Sequence, residues 1–455
     1  MLAALAAIPI VAAAGPARAQ ENSMIATDLE VVTVTPTSVI LTWTTLAPGP
    51  GGNPVPAGTQ VRLAPADARG PARIRHDDSD RTPYHYAEII GLEPGRAYRF
   101  EAWSDGVRAT PGSTVVTHLP GSPECTGQFT TLALPPGRLL RILALSNDLH
   151  IGEETAGLIH AAEPPGVRQE LGLPPYPEVM LTALLGDLRL PDRGADHLLV
   201  AGDLTAEATP AQTGSVRAHL DSWGVRERDW FAVRGNHDRP HVGPEYAGCP
   251  AVADADHHDC WGESFGPRGQ LTEHRLGGLR VLGLDTTLLD AAGGAIDPAQ
   301  FAHLRTLLRA DPDRPTLIFG HHPVTHDAAV SNINGLDFVL NRTDSLALQS
   351  LYRSAPGVFL HHAGHTHRNR RSGTDIPLNV EFLEVGAVKE YPGGYTLVRI
   401  YEGGYTVNFY KTRTPDARRW SHRSRAEYLG LWPDYTLGTT ADRNHTVLRD
   451  LSGLT

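Results

Sequence analysis

Five apolar runs in this sequence each lead into a cluster of aspartate, asparagine or histidine, and this pattern constrains the fold more than any other feature. Continuous apolar runs are typical of strands buried on both faces of a sheet. Because open sheets bind ligands at the carboxyl ends of their strands, we expect the five clusters to meet at one crevice. The runs and clusters are Leu139 to Leu145 before Asp148 and His150, His197 to Ala201 before Asp203, Phe231 to Val233 before Asn236, His237 and Asp238, Thr316 to Phe319 before His321 and His322, and Val358 to Leu360 before His365 and His367.

These clusters have the donor chemistry of a transition-metal site. They offer oxygen and imidazole nitrogen but no sulfur, which suits Zn, Mn or Fe better than Ca or Cu(I). The candidate ligands are Asp148, His150, Asp203, Asn236, His321, His365 and His367, which is too many for one ion. Two ions about 3.5 to 4 Å apart that share a carboxylate can activate a bridging hydroxide for in-line displacement at a phosphoryl group. The residues therefore predict a two-metal phosphoesterase.

Taken together, the five motifs resemble those of the calcineurin-like metallophosphoesterases. They are Asp-x-His at 148, Gly-Asp at 202, Gly-Asn-His-Asp at 235, Gly-His-His at 320 and Gly-His-x-His at 364. The resemblance covers residues 139 to 411 and implies an α/β domain of two packed mixed sheets flanked by helices. It also implies two ligand sets that share Asp203. The first ligand set is Asp148, His150, Asp203 and His367, and the second ligand set is Asp203, Asn236, His321 and His365.

The same resemblance implies roles for residues that hold no metal. His237 is expected to donate a proton or hydrogen bond to the leaving oxygen. Protein serine/threonine phosphatases pair this histidine with an aspartate at the position of Ala206, so Asp238 and Glu207 are the candidate partners here. His322 is a candidate substrate contact, with a structural role as the alternative. Three arginines after the last motif, Arg368, Arg370 and Arg371, could bind phosphate or belong to an exposed loop.

Subgroup features leave the substrate open. A fibronectin-like domain before the catalytic domain is similar to the arrangement in purple acid phosphatases. That subgroup has Asp-x-Gly where this chain has His150, and a tyrosine ligand where this chain has Ala206. The Asp-x-His motif is more similar to class III phosphodiesterases. Phosphomonoesters and phosphodiesters are both possible substrates, and a purple-acid-phosphatase-like enzyme, a nuclease and a non-catalytic exported binding protein are the alternatives.

The remaining sequence suggests a multidomain chain. Alternating apolar residues predict an all-β sandwich over residues 24 to 118, and Gly91 to Phe100 resembles the tyrosine corner of fibronectin type III domains. This domain is interpreted as a spacer or docking module. Residues 119 to 138 are predicted to be a linker, since they are rich in Pro, Gly and Ser. Residues 412 to 455 form a polar and basic C-terminal extension, interpreted as a solvated tail packed by Trp420, Tyr428 and Trp432, with a binding arm as the alternative.

The N-terminus and the cysteines predict export. Residues 1 to 19 resemble a signal peptide cleaved before Gln20, which predicts a secreted, periplasmic or cell-surface protein. Of three cysteines, Cys249 and Cys260 could form a disulfide in an oxidising compartment. A net charge of -11 gives no general attraction to nucleic acid or anionic membrane. A phosphate ester is therefore the one partner that the sequence implies.

Overall fold

The computed structural model describes residues 24–49, 51–112, 121–157, 166–253 and 255–454. The predicted signal peptide and Gln20 lie outside these residues. Within them, the chain forms a β-sandwich followed by a mixed α/β domain, as the sequence predicts. None of the helices in the described ranges is long and apolar enough to cross a membrane.

The N-terminal sandwich contains two antiparallel sheets. Its elements are β1 (Ile25–Val34), β2 (Ser38–Leu46), β3 (Ala57–Pro65), β4 (Arg73–Thr82), β5 (Tyr84–Ile90), β6 (Ala97–Ser104), β7 (Val107–Arg108), helix α1 (Pro123–Thr126) and β8 (Gln128–Thr130). One sheet has the order β1-β2-β5, and the other has the order β4-β3-β6-β7 with β8 also paired to β6. The Tyr98 hydroxyl accepts a hydrogen bond of 3.0 Å from the Glu93 backbone N–H, which is the geometry of a tyrosine corner.

The sandwich extends into the segment predicted to be a linker. Strand β8 pairs with β6, and Phe129 is 4 % exposed in the sandwich core. A strand of three residues is too short to show an alternating pattern, so no sequence signal marks it.

The α/β domain is built on two six-stranded mixed sheets. Its strands are β9 (Leu139–Ser146), β10 (Thr155–Ala156), β11 (Val167–Arg168), β12 (His197–Ala201), β13 (Trp230–Val233), β14 (Thr272–Leu276), β15 (Leu279–Leu284), β16 (Thr316–Gly320), β17 (Val358–Ala363), β18 (Arg370–Ser372), β19 (Glu381–Glu384), β20 (Gly394–Tyr401), β21 (Gly404–Lys411) and β22 (Asn444–Leu448). The sheet orders are β13-β12-β9-β20-β21-β22 and β14-β15-β16-β17-β19-β18, and β10 pairs only with β11. Buried residues of both large sheets, including Leu143 and Phe359, form one core.

Helices connect and flank these strands. They are α2 (Tyr176–Leu188), α3 (Pro210–Trp223), α4 (Cys260–Phe265), α5 (Pro298–Ala310), α6 (His326–Ser331), α7 (Arg342–Arg353), α8 (Pro415–Ser424), α9 (Pro433–Leu437) and α10 (Thr440–Arg443). Short 3-10 helices span Asn236–Asp238, Pro244–Tyr246, Leu336–Phe338, Glu427–Gly430 and Ser452–Leu454. A disulfide joins Cys249 to Cys260 at the start of α4, as predicted.

The C-terminal extension is an integral part of the α/β domain, so the expectation of a solvated tail is wrong, whereas the expected packing through Trp420 is confirmed. Strand β22 pairs with β21 at the edge of the first large sheet. The indole of Trp420 in α8 stacks on Tyr176 in α2 with ring centroids 4.0 Å apart. These long-range contacts bury apolar surface that a local reading of a basic segment cannot reveal.

The sandwich is packed directly against the α/β domain instead of serving as a loose spacer. Val32 and Ile40 are fully buried in the core of the α/β domain. The Asn408 amide donates to the Val34 carbonyl at 2.7 Å. Strand β1 therefore forms a fixed joint between the two domains.

At the centre of this joint, the carboxylate of Glu30 is buried among four donors. It accepts hydrogen bonds from Lys411 at 2.5 Å, Tyr391 at 2.7 Å, Thr42 at 3.0 Å and Arg425 at 3.4 Å. Burial opposes ionisation of Glu30, but Lys411 and Arg425 outweigh it and lower its pKa to about 2. The charged joint therefore stabilises the folded chain only while Glu30 is ionised.

We predict that Glu30→Gln lowers the free energy of unfolding at pH 7 by roughly 3 kcal/mol, because a pKa unit is worth about 1.4 kcal/mol. The folded-state pKa lies below the usual value of 4.5, so this stability is complete above pH 4.5 and is lost as the pH falls towards 2. Urea denaturation of wild type and variant at pH 7 and pH 3 measures the effect. Glu101→Gln, in a more exposed pair with Arg108, is the control. A difference that does not shrink at pH 3 would contradict the prediction.

Candidate metal centre

The fold brings all seven predicted metal ligands together. Strands β9, β12 and β13 are parallel in the first large sheet, and β16 and β17 are parallel in the second. Each ligand follows the carboxyl end of one of these strands. Six of the ligands are buried, and the side chain of His367 is 18 % exposed.

The first ligand set surrounds one point between the sheets. Asp148 Oδ1 lies 3.4 Å from His367 Nε2 and 3.9 Å from His150 Nε2. His150 Nε2 also lies 3.5 Å from Asp203 Oδ2, and this buried nitrogen has no hydrogen-bond partner among the described residues. Donor atoms at such separations can share one ion, since metal–nitrogen and metal–oxygen distances are about 2.0–2.2 Å.

The second ligand set converges on His321 Nε2. This atom lies 3.1 Å from Asp203 Oδ2, 2.9 Å from Asn236 Oδ1 and 3.0 Å from His365 Nδ1. The same oxygen of Asp203 is therefore close to histidine nitrogens of both sets. This is the geometry that a bridging carboxylate requires.

Five of the seven predicted ligands have left-handed backbone conformations. Their φ angles are 52° for Asp148, 46° for His150, 52° for Asp203, 70° for His365 and 50° for His367. Such conformations are unfavourable for residues with a Cβ, cost on the order of 1–3 kcal/mol each and cluster at functional sites. The concentration of this strain at the predicted ligands is evidence for a functional site that is independent of the motifs.

Gly235 is required here for space and not for a positive φ. Its φ is -106°, within reach of any residue. A Cβ at this position would lie 2.2 Å from both the backbone nitrogen and Oδ1 of Asp203. A larger residue would therefore displace the shared carboxylate.

Burial and mutual charge shift the pKa values of these ligands strongly. Burial opposes the charged forms, but His367 and His321 outweigh it and lower the pKa of Asp148 to about 2. In the same way Asp203 raises the pKa of His321 to about 9, against the effect of burial. The carboxylates are therefore ionised at neutral pH, which is the state that binds metal.

Two carboxylates that the sequence analysis missed lie behind the first ligand set. Glu390 Oε1 lies 2.6 Å from His367 Nδ1 and is hydrogen-bonded to it. Glu153 Oε2 lies 3.1 Å from His150 Nδ1, close enough for an ion pair but not aligned as a hydrogen bond. Glu153 follows His150 by three residues and could have been suspected from that spacing, whereas Glu390 is remote in sequence and gave no signal.

The structure identifies a partner for His237 that is neither of the two candidates. His237 Nδ1 donates to the backbone carbonyl of Ala206 at 2.8 Å, which leaves Nε2 available. The ring lies beside His150, with centroids 4.6 Å apart. Burial lowers the pKa of His237 to about 4. The ring is therefore neutral at pH 7 in the free protein.

The carboxylate of Asp238, predicted to be catalytic, organises the loop that carries Asp203. It accepts from the backbone N–H groups of Leu204 and Thr205, each at 2.9 Å, and from that of Gly235 at 3.0 Å. Asp238 is not hydrogen-bonded to His237. Its contacts therefore support a positioning role.

The two candidate substrate contacts have their polar atoms engaged elsewhere. His322 is fully buried, with Nδ1 2.7 Å from Thr286 Oγ1 and Nε2 3.0 Å from the Ala292 carbonyl. Arg368 is 2 % exposed, and its Nε donates to Glu384 at 2.8 Å. Both are assigned structural roles here, since neither offers a free donor to a substrate.

Comparison with known proteins was consistent with this site. Residues 143–369 match the family model of the calcineurin-like phosphoesterases. No curated protein matches the sequence. Solved structures similar to this chain include a dimetal phosphatase from Danio rerio (16 % identity, 60 % of this chain and 96 % of that chain, TM-score 0.43) and the purple acid phosphatase PPD1 from yellow lupin, Lupinus luteus (14 %, 94 % and 75 %, TM-score 0.42). Structural likeness of this strength carries no argument about the substrate.

The matched family and the predicted ligands therefore agree on one class of protein. Residues 143–369, within the α/β domain, form a calcineurin-like phosphoesterase domain. The protein is a metal-dependent phosphoester hydrolase.

We predict that Asp203→Ala abolishes binding of both ions, because its Oδ2 lies beside histidines of both ligand sets. Elemental analysis of protein saturated with Mn or Zn and freed of excess metal should show about two ions per chain in wild type and none in the variant. Asp187→Ala, which removes a buried carboxylate paired with Arg413, is the control and should keep two. An Asp203→Ala protein that retains one ion would show that this residue is not shared.

Proposed function

We propose that this protein is an exported phosphoesterase that uses two transition-metal ions, Mn, Fe or Zn, to hydrolyse phosphate esters. The position of Asp203 carries the proposal, since one carboxylate oxygen lies 3.5 Å from His150 Nε2 and 3.1 Å from His321 Nε2. The first ligand set would hold one ion and the second ligand set the other. When bound, such a pair polarises the phosphoryl oxygens and activates a water molecule for in-line attack.

The residues around the ions supply orientation and proton transfer. Hydrogen bonds to Asp238 fix the loop behind Asp203, so the shared carboxylate keeps its direction. The Ala206 carbonyl fixes the ring of His237, whose Nε2 we propose faces the leaving oxygen. Before it can donate, Nε2 must take up a proton from water, which the negative charge of a bound phosphate favours and the positive charge of the two ions would oppose. His237 can then deliver that proton as the ester bond breaks.

The cations after the last motif favour phosphodiesters over phosphomonoesters. Arg368 is paired with Glu384, Arg370 with Asp327 and Arg371 with Glu381, each at 2.8 or 2.9 Å. These three arginines are therefore not free to balance the second charge of a phosphomonoester. A diester has one charge on the phosphoryl group and needs less compensation.

Two features support placing the enzyme outside the purple acid phosphatases. The position of the colour-giving tyrosinate is Ala206, whose carbonyl instead holds His237. The position two residues after Asp148 is His150, where purple acid phosphatases have glycine, and His150 lies among the first ligand set. We infer that the iron form lacks the intense visible band of the purple enzymes, which an absorption spectrum would reveal.

Export is proposed from the N-terminal segment and supported by the Cys249–Cys260 disulfide, since such bonds persist in oxidising compartments. We expect the mature protein to begin at Gln20. Intact mass of the secreted product, with thiols alkylated before and after reduction, tests both features. Retention of residues 1–19 in the secreted product would contradict the cleavage site.

We predict that wild type hydrolyses both nitrophenyl and alkyl phosphodiesters, and that His237→Ala slows the alkyl esters far more. General-acid help is worth roughly 10² to 10⁴-fold and matters most for a basic alkoxide leaving group, whereas nitrophenolate departs without a proton. Steady-state kcat/KM for the two substrates in the same metal-loaded preparations measures this asymmetry.

Metal content provides the control for this comparison, because His237 is outside both ligand sets and the variant should keep about two ions. Equal losses on both esters would assign His237 to phosphate binding instead of proton donation. A wild-type protein that binds two ions but hydrolyses no ester would overturn the proposed activity and favour a binding protein.

A further inference from the structure

The chain contains only two lysines among 455 residues, and both are buried. Lys389 is 4 % exposed and Lys411 is 8 % exposed. Lysine is rarely buried without a partner, because removing its charge from water is unfavourable. Lys411 pairs with Glu30 in the joint between the domains. Lys389 lies in the layer behind the first ligand set.

The ammonium of Lys389 connects the two carboxylates that face the histidines of this set. Its Nζ lies 2.7 and 2.6 Å from the two oxygens of Glu153 and 3.5 Å from Glu390 Oε2. The other oxygen of Glu390 bonds to His367 Nδ1 at 2.6 Å, and Glu153 lies 3.1 Å from His150 Nδ1. One cation thus links the outer contacts of both histidines.

This arrangement has a clear physical role. A carboxylate behind a ligating histidine fixes the ring and makes its free nitrogen a stronger donor. Glu153 and Glu390 add two negative charges close to Asp148 and Asp203, and without compensation these charges repel one another. Lys389 neutralises part of this charge while holding both outer carboxylates in place.

The second ligand set lacks this support among its histidines. His321 Nδ1 donates to the backbone carbonyl of Ala201 at 2.9 Å, and His365 Nε2 is buried without a hydrogen-bond partner in the part of the chain that the structure describes. A neutral carbonyl increases the basicity of an imidazole less than a carboxylate does. The two metal positions should therefore differ in affinity.

Lys389 is itself held firmly by neighbouring elements. Its backbone N–H donates to the carbonyl of Asp148 at 3.2 Å, and its carbonyl accepts from Trp420 Nε1 at 2.7 Å. Trp420 stacks on Tyr176, whose hydroxyl donates to Glu153. Helix α8 of the C-terminal extension thereby fixes the lysine and one of its carboxylate partners.

We propose that Lys389 is a positioning residue that strengthens the first ligand set through Glu153 and Glu390 and makes it the tighter of the two metal positions. This inference rests on the proposed two-metal function. Lys389, which lies outside the family motifs, would then control the relative affinities of the two metal positions.

The test is a titration of metal-depleted protein with Zn. Calorimetry and competition with a chromophoric chelator measure the binding. Wild type should bind in two steps of different affinity. Lys389→Met should weaken the tighter step by about 10- to 100-fold, the usual effect of losing an outer-sphere partner, and change the weaker step by less than about twofold. Cobalt-loaded samples give a second readout, since the Nδ1–H proton signals of His150 and His367 should shift in the variant.

Lys411→Met is the matched control. It also removes a buried ammonium paired with a glutamate, but its partner Glu30 belongs to the domain joint and to neither ligand set. It should lose stability while keeping both binding steps. An unchanged tighter step in Lys389→Met, or equal weakening in both variants, would overturn the inference.

If Lys389→Met does not fold, Glu153→Gln replaces it, because glutamine keeps the size of the side chain but loses its charge. The tighter step should then weaken by about tenfold, and an unchanged step would overturn the inference. Failure of the proposed function would look different. In that case the wild type itself would bind fewer than two ions or hydrolyse no ester.

Discussion

The shared position of the Asp203 carboxylate is the constraint on which the rest of this structure depends. One oxygen must lie within reach of histidines from two different sheets, at 3.5 Å from His150 and 3.1 Å from His321. Here two packed sheets, with the strand ends that carry the ligands on the same side, bring these groups together. The close approach also excludes any side chain at Gly235, where a Cβ would overlap Asp203.

Holding the ligands in this way strains the backbone, and the surrounding contacts offset that strain. Asp203 has a left-handed conformation. The carboxylate of Asp238 accepts hydrogen bonds from the backbone N–H groups of Leu204 and Thr205, the two residues after Asp203. Asp148 is also left-handed, and its carbonyl accepts from the backbone N–H of Lys389. Neighbouring contacts thus hold the strained ligands in place. Strained functional residues persist only when the surrounding structure holds them in this way.

The flanking parts of the chain contribute to this rigidity. The N-terminal sandwich packs Val32 into the core of the α/β domain and places Glu30 among buried cations. The C-terminal segment adds strand β22 to the first large sheet and brings Trp420 to the backbone of Lys389. Both segments are therefore structural components of the enzyme, connected to the layer that supports the metal ligands.

The sequence by itself determined the five strands that carry the candidate ligands, the identity of those candidates and the class of chemistry, because these depend on local patterns: an apolar run, a turn, and donor residues such as Asp148 and His150 at fixed spacing. Tertiary structure alone decided which groups lie behind the ligands. No periodicity marks these groups. Glu390 and Lys389 are far in sequence from most of the groups they support, and the group at Ala206 is a backbone carbonyl, which any residue has. The packed C-terminal segment was interpreted as a tail for the same reason. Its partners are remote in sequence, and only the folded chain brings them into contact with it.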